Sequence, residues 1–179
     1  MWIKKHQRKQ VQQERELPRE YLDRESHFVW GDRVLLSVEE VDTAPRVTCR
    51  HKILLIQVRR GAGQAGKAEI LEGWYREQLR EAAGPLLKKW QSRLDVEANE
   101  LFVQRMKTKW RSCNPVSRNI RLNTELAKKP PECLDYVVLH ELAHLRERLH
   151  TTAFFDLLDH AMPHWKSVRQ RLNNLPLSR

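Results

Sequence analysis

The spacing of apolar residues divides the chain into stretches of different period. Residues 1–20 are polar and charged, with Trp2, Ile3, Val11 and Leu17 as their sizeable apolar side chains, and predict a basic N-terminal arm or helix fragment. Residues 21–66 read as β-rich. There, His27-Phe28-Val29-Trp30 and Val34-Leu35-Leu36-Ser37-Val38 flank Gly31-Asp32, which predicts a hairpin. Between Val47 and Val58, Ile53-Leu54-Leu55-Ile56 predicts a strand. Gly61, Gly63 and Gly66 mark a loop whose GAGQAG spelling is not the GxGxxG dinucleotide fingerprint. Over 67–92 the period turns helical: Ile70, Leu71, Trp74, Tyr75, Leu79, Ala82, Ala83, Leu86, Leu87 and Trp90 recur at three- and four-residue steps. Gly84-Pro85 is expected to kink or split that helix. Residues 100–123 predict two short strands, 101–106 and 119–123, on either side of a loop over 110–117. Pro130-Pro131 opens a helix where proline is tolerated, and 131–172 is a run of helices. The pattern predicts an α+β fold with one domain over 21–179, a small antiparallel sheet packed on helices.

Composition narrows the class. A chain of 179 residues can bury about 70% of its unfolded surface, enough for one core. The 40% hydrophobic and 31% charged content excludes collagen-like, low-complexity and wholly disordered chains. No apolar run approaches the ~18 residues of a membrane span, and the first residues hold no signal-peptide h-region, so neither membrane insertion nor secretion is expected. The three cysteines, Cys49, Cys113 and Cys133, are odd in number and lack CxxC spacing, which favours a reducing cytoplasm over a disulfide framework. A net charge of +10 favours acidic partners and so nucleic-acid association through a basic surface, although basic residues also keep a small protein in solution. The expected state is a monomer.

The chemistry lies in His140-Glu141-Leu142-Ala143-His144, an HExxH pattern on the apolar helical run Leu134, Val137, Val138, Leu139, Leu142, Leu145. Positions four apart on a helix lie ~40° apart in projection and ~6 Å apart along the axis, so both imidazoles can reach one metal ion. Glu141 points in an adjacent direction, where it can accept a proton from a metal-activated water. A chance HExxH has a probability of about 3% in this composition, and a further histidine ten residues after the first lowers it to about 0.1%. His150 occupies that place. In an unbroken helix it would sit ~240° around from His144 and ~9 Å further on, so it can join the pair only if the helix stops within 146–149. No Gly or Pro helps there, but Thr151-Thr152 before Phe154-Phe155-Asp156-Leu157-Leu158 reads as a cap and a new helix. His160 and His164 are the competing third ligands.

These motifs resemble the YgjP-like metallopeptidases, relatives of the SprT-like and WLM zinc proteases. The matching residues are Met106-Lys107-Thr108-Lys109-Trp110, Ser112-Cys113, Ile120-Arg121-Leu122-Asn123, Pro131-Glu132, Asp135-Tyr136-Val137-Val138, the His140–His144 motif, His150, Phe154, Pro163 and Trp165. Trp2-Ile3, Lys5, Gly31 and Trp74-Tyr75-Arg76 extend the likeness more loosely over the first half. The family usually has glycine where this chain has Arg111, and a bulky cation there is expected to reshape the cleft wall or add a contact to substrate. It also usually has β-strands ahead of the tryptophan matched by Trp2, where this chain opens. The resemblance implies a zincin-like fold, one Zn2+ per chain on His140, His144 and His150, Glu141 as general base, and hydrolysis of protein or peptide substrates, some of them DNA-associated. It also implies an alternative, a metal-dependent nucleoside-triphosphate pyrophosphohydrolase. A third class, a non-catalytic nucleic-acid-binding protein with a structural metal, is disfavoured by Glu141, because a closed structural site has no use for a base.

Other residues have plainer expected roles. Cys113 and Cys133 lack zinc-ligand spacing and read as core. Tyr136, one turn before His140, reads as packing first and oxyanion stabiliser second; Arg111, Arg118 and Arg146 are the other oxyanion candidates. Met162 reads as a helix-terminal core residue, and Asp156 and Asp159 as solvated residues or acceptors for a ligand imidazole. Asn119-Ile120-Arg121-Leu122-Asn123 alternates polar and apolar residues just before the metal helix and is the expected edge strand for docking an extended substrate.

Overall fold

The computed structural model describes residues 19–106, 109–114 and 116–175. The predicted arm over 1–20 falls almost wholly outside them, as does the side chain of Cys113. Four strands come first: β1 (Ser26–Val29), β2 (Asp32–Val41), β3 (Arg46–Arg50) and β4 (Ile53–Arg59). They are followed by helix α1 (Gln64–Leu94), strands β5 (Leu101–Gln104), β6 (Arg111–Asn114) and β7 (Asn119–Asn123), and a 3-10 helix (Thr124–Lys128). Helices α2 (Pro131–Arg146), α3 (Thr152–Ala161) and α4 (Trp165–Asn174) close the chain.

The α+β class is as expected, but the strands form two mixed sheets, β1-β2-β4-β3 and β5-β7-β6, and not one antiparallel sheet. In the first, β1/β2 and β3/β4 are antiparallel hairpins while β2 and β4 run parallel. The predicted β1–β2 turn forms, with Trp30 at φ 52° and Gly31 at φ 88° as its central pair. The stretch from Val47 to Val58 is two strands, turned at His51 and Lys52, which both adopt positive φ without glycine. Alternation buries Val34 and Leu36 of β2 and Leu54, Ile56 and Val58 of β4 against the helices.

Helix α1 runs unbroken through Pro85 instead of splitting. Pro85 and Glu81 are both exposed, so the carbonyl deprived of its partner faces water, while buried Leu79, Ala83 and Trp90 hold both sides to the core. Asp135 of α2 accepts hydrogen bonds from Trp90 Nε1 (2.6 Å) and Lys89 Nζ (2.9 Å), and Arg146 Nη1 donates to the Leu94 carbonyl (3.1 Å). These contacts fix α2 along α1.

The second sheet leads directly into the metal-motif helix. β7 is its middle strand, parallel to β5 and antiparallel to β6, with Ile120 and Leu122 fully buried. The expected edge strand is therefore interior, and an incoming peptide cannot pair with it. Buried Asn123 ends β7: its amide donates to the Met106 (2.8 Å) and Lys109 (2.7 Å) carbonyls, and its oxygen accepts from the Glu125 amide (3.2 Å). The 3-10 helix in turn receives the tip of the first hairpin. Trp30 N–H donates to the Ala127 carbonyl (2.8 Å), and a Cβ on Gly31 would stand 3.0–3.1 Å from Pro130. Gly31 is thus needed both for its left-handed φ and for this close approach.

Candidate metal centre

Helix α2 starts at a proline-tolerant position and buries nearly its whole middle, from Leu134 to Ala143 apart from a half-buried Asp135. Tyr136, His140 and His144 follow at four-residue steps and share one face. After Arg146 the backbone leaves the helix: Glu147 is extended (φ −129°), and its N–H still bonds the Ala143 carbonyl at 2.9 Å. The chain then returns so that His150 faces the pair. Thr151 caps α3 by accepting from the Phe154 N–H at 3.4 Å. The break anticipated within 146–149 thus occurs without a glycine.

The three imidazoles converge. His140 Nε2 lies 3.1 Å from His144 Nε2 and 3.2 Å from His150 Nε2. All ligand atoms of the group fall within 4.8 Å of one another, and it is the one such cluster among the described residues. His160 and His164 are exposed and stand outside it. His144 Nδ1 lies 3.2 Å from the Glu147 carbonyl, which can only accept, so Nδ1 is the donor and Nε2 is the atom turned toward the other histidines. His140 Nδ1 is 3.3 Å from the Tyr136 hydroxyl. Burial, then the charge of Arg111 and the neighbouring histidines, holds His140 neutral far below its ordinary pKa of 6.5. Burial, His144 and Arg111 move His150 in the same direction.

This donor set fits a zinc ion. Tetrahedral ligands at 2.0–2.1 Å stand about 3.3 Å apart, close to the separations seen. Imidazole nitrogens this close repel unless they share a proton or a cation, and imidazole suits a borderline-soft metal. Phe154 floors the cluster, its ring centroid 4.9, 4.7 and 4.8 Å from His140, His144 and His150. Trp165 stacks on Tyr136 (6.1 Å) and on Phe155 (5.8 Å), and its indole N–H donates to Asp159 (2.7 Å). Asp159 therefore anchors Trp165 and no ligand imidazole, while Asp156 is exposed. Met162 and Cys133 are core, with the Cys133 thiol pushed up to about 11, first by burial.

Glu141 is buried beside the cluster, its side chain 3% exposed, and is ion-paired to the Arg111 guanidinium. Arg111 lies on β6, which the sequence reading took for loop. Its side chain passes over the Tyr136 ring, 5.8 Å from the centroid. Of the other arginines considered for this region, Arg146 is spent on the Leu94 carbonyl and Arg118 sits exposed in the β6–β7 turn. Sequence reasoning missed the Arg111–Glu141 pair and the flooring role of Phe154. No spacing rule joins residues 30 positions apart, and Phe154 carries no chemistry of its own.

Two helix-borne histidines, a third returned by a chain reversal, and a carboxylate at their side form a group that could hold a metal ion. The chain belongs to the YgjP-like metallopeptidase family: the model of the YgjP-like metallopeptidase domain matches residues 1–175. Among solved structures it is similar to the metallopeptidase zymogen of Pyrococcus abyssi abylysin, with 20% identity and a TM-score of 0.47 over 50% of this chain and 90% of that one. The metallopeptidase zymogen of Methanocaldococcus jannaschii jannalysin is also similar, with 19% identity and a TM-score of 0.45 over 50% of this chain and 86% of that one. No curated protein sequence matches. No helix among the described residues is long and apolar enough to cross a membrane.

Proposed function

We propose that the protein hydrolyses peptide bonds in protein substrates, with one zinc ion held by His140, His144 and His150 and with Glu141 as general base. The observation that carries this reading is the convergence of three imidazole nitrogens within 4.8 Å beside a buried carboxylate. Zinc bound there would act as a Lewis acid and lower the pKa of water. Glu141 holds the attacking water, takes its proton, and later gives it to the departing amine. Tyr136 and the Glu147 carbonyl orient His140 and His144 through their Nδ1 atoms.

An extended substrate would lie along β6. β6 pairs with β7 on one side, packs against α2, and is an edge strand of its sheet. It takes the place that the interior β7 cannot fill. The same reading has residues 21–179 as one domain, supported by a single buried core that spans both sheets and the helices, and has the protein act as a cytoplasmic monomer. The net charge of +10 supports action on proteins held on nucleic acid.

The test is incubation with casein, with a DNA-bound protein and with the four nucleoside triphosphates, before and after Glu141→Gln. Proteolysis abolished by Glu141→Gln, with zinc still bound, is expected. Pyrophosphate release lost in the same variant, with no proteolysis, would replace the peptidase reading by the pyrophosphohydrolase one.

A further inference from the structure

Arg111 touches the proposed base, yet neither metal binding nor proton transfer to Glu141 requires it. Its backbone is fixed in β6, with Arg111 opposite Leu122 of buried β7. Its side chain is 23% exposed, while that of its partner Glu141 is 3% exposed, so Arg111 reaches from the buried carboxylate toward solvent. A guanidinium has five N–H donors in a rigid fork. Glu141 Oε1 engages one nitrogen of the fork. The Tyr136 ring beneath it stabilises the cation by its face and limits its swing.

We propose that Arg111 is a catalytic residue that stabilises the negative charge formed on the substrate carbonyl oxygen, an inference that rests on the peptidase reading above. In the addition step the water oxygen bonds to the carbonyl carbon, the carbonyl π pair moves onto its oxygen, and one water proton passes to Glu141. The negative charge therefore leaves Glu141 as it appears on the substrate. Arg111 loses its anionic partner and gains a new one in the same event, and shifts its hydrogen bonds from one to the other. In the collapse step the oxygen pair re-forms the carbonyl, the C–N bond breaks with its pair going to nitrogen, and the Glu141 proton follows. Glu141 is then anionic again and takes Arg111 back. An interaction that strengthens only at the transition state accelerates the chemical step, whereas one already made to the ground-state substrate does not.

The other candidates are committed elsewhere. The Tyr136 hydroxyl is directed at His140 Nδ1, Arg146 at the Leu94 carbonyl, and Arg118 sits exposed in the β6–β7 turn; Arg169, a further guanidinium on this side, lies exposed over the Trp165 ring at 5.9 Å.

The experiment compares wild type, Arg111→Lys and Arg111→Ala, each loaded with zinc, on one cleavable peptide and on a phosphinic peptide of the same sequence, whose tetrahedral anion mimics the addition product. Arg111→Ala is expected to lower kcat about 100- to 1,000-fold. KM should stay within a factor of about three and zinc content should not change. Phosphinate affinity should fall in step with kcat, Arg111→Lys should lie between, and added guanidinium should restore part of the loss in Arg111→Ala. Unchanged or raised kcat in Arg111→Ala would overturn the proposal, and so would a fall in kcat with phosphinate affinity intact. Phosphinate binding is read without turnover, so it decides the role of Arg111 even where no peptide is cleaved. Failure of the peptidase reading shows separately, as hydrolysis absent from wild type or undiminished in Glu141→Gln.

Discussion

Both sheets are mixed, each with one parallel pair, yet they bury different chemistry. The β1-β2-β4-β3 sheet buries an apolar face of Val34, Leu36, Leu54, Ile56 and Val58, and its hairpin tip reaches the 3-10 helix and Pro130, just ahead of the metal-motif helix. The β5-β7-β6 sheet has strands of four and five residues, ends in buried Asn123, and presents Arg111 to Glu141. Apolar contacts are non-directional and tolerate small shifts. A buried amide or ion pair holds only when its partners stand at hydrogen-bond distance. The first sheet thus supplies stability, and the second supplies position.

Substitutions should separate these roles. Leu54→Ala, at a fully buried site in the first sheet, should cost about 3 to 4 kcal/mol in urea unfolding. The molecules that remain folded should keep full zinc affinity and full hydrolysis. Asn123→Ala should cost about 2 to 3 kcal/mol, because the Met106 and Lys109 carbonyls and the Glu125 amide lose their shared partner. In this case hydrolysis per folded molecule should also fall, about tenfold, because the segment leading into β6 loosens. Equal per-molecule activity in the two variants would erase the distinction between the sheets. Gly31→Ala probes the place where the first sheet's hairpin tip meets Pro130, just ahead of the metal-motif helix. Strain at φ 88° and the clash with Pro130 should cost about 1 to 2 kcal/mol with zinc affinity unchanged. A loss of zinc affinity would show that the hairpin also positions the site.

The smallest expected effect is one of pH. His140 and His150 are kept neutral by the fold, below an ordinary value of 6.5, so between that value and their depressed pKa the unfolded chain binds more protons than the native one. The stability of the metal-free protein should therefore be highest above pH 6.5 and should decline on acidification, by on the order of 1 kcal/mol over the first pH unit. Urea midpoints of chelator-treated protein at pH 7.5, 6.5 and 5.5 measure this. A midpoint that rises on acidification would contradict the neutral assignment.

Much of this architecture was legible in the sequence, and the exceptions share physical causes. Periodicity identified the β1–β2 hairpin, α1 and α2, because each depends on which face a residue presents. It did not identify strand partners, because alternation fixes a face and leaves the neighbour open. Hence β7 read as an edge strand and proved interior, and both parallel pairs were missed. The His51-Lys52 turn was hidden by its lack of glycine, and Pro85 was over-weighted because its exposure could not be known. At the site, the i, i+4 spacing brought out His140 and His144, and the Thr151 cap brought out the reversal that returns His150. The Arg111–Glu141 pair spans two elements with no local signal linking them.

The proposed centre has His140, His144 and His150 holding one zinc ion at which Glu141 works. Metal analysis of purified wild type beside His150→Ala tests it most directly, with circular dichroism to confirm the fold. About one zinc per wild-type chain is expected, with zinc lost or bound at least about tenfold more weakly in His150→Ala and with unchanged spectra. A folded wild-type protein that takes up no zinc, or a His150→Ala protein that holds it as tightly, would contradict the account.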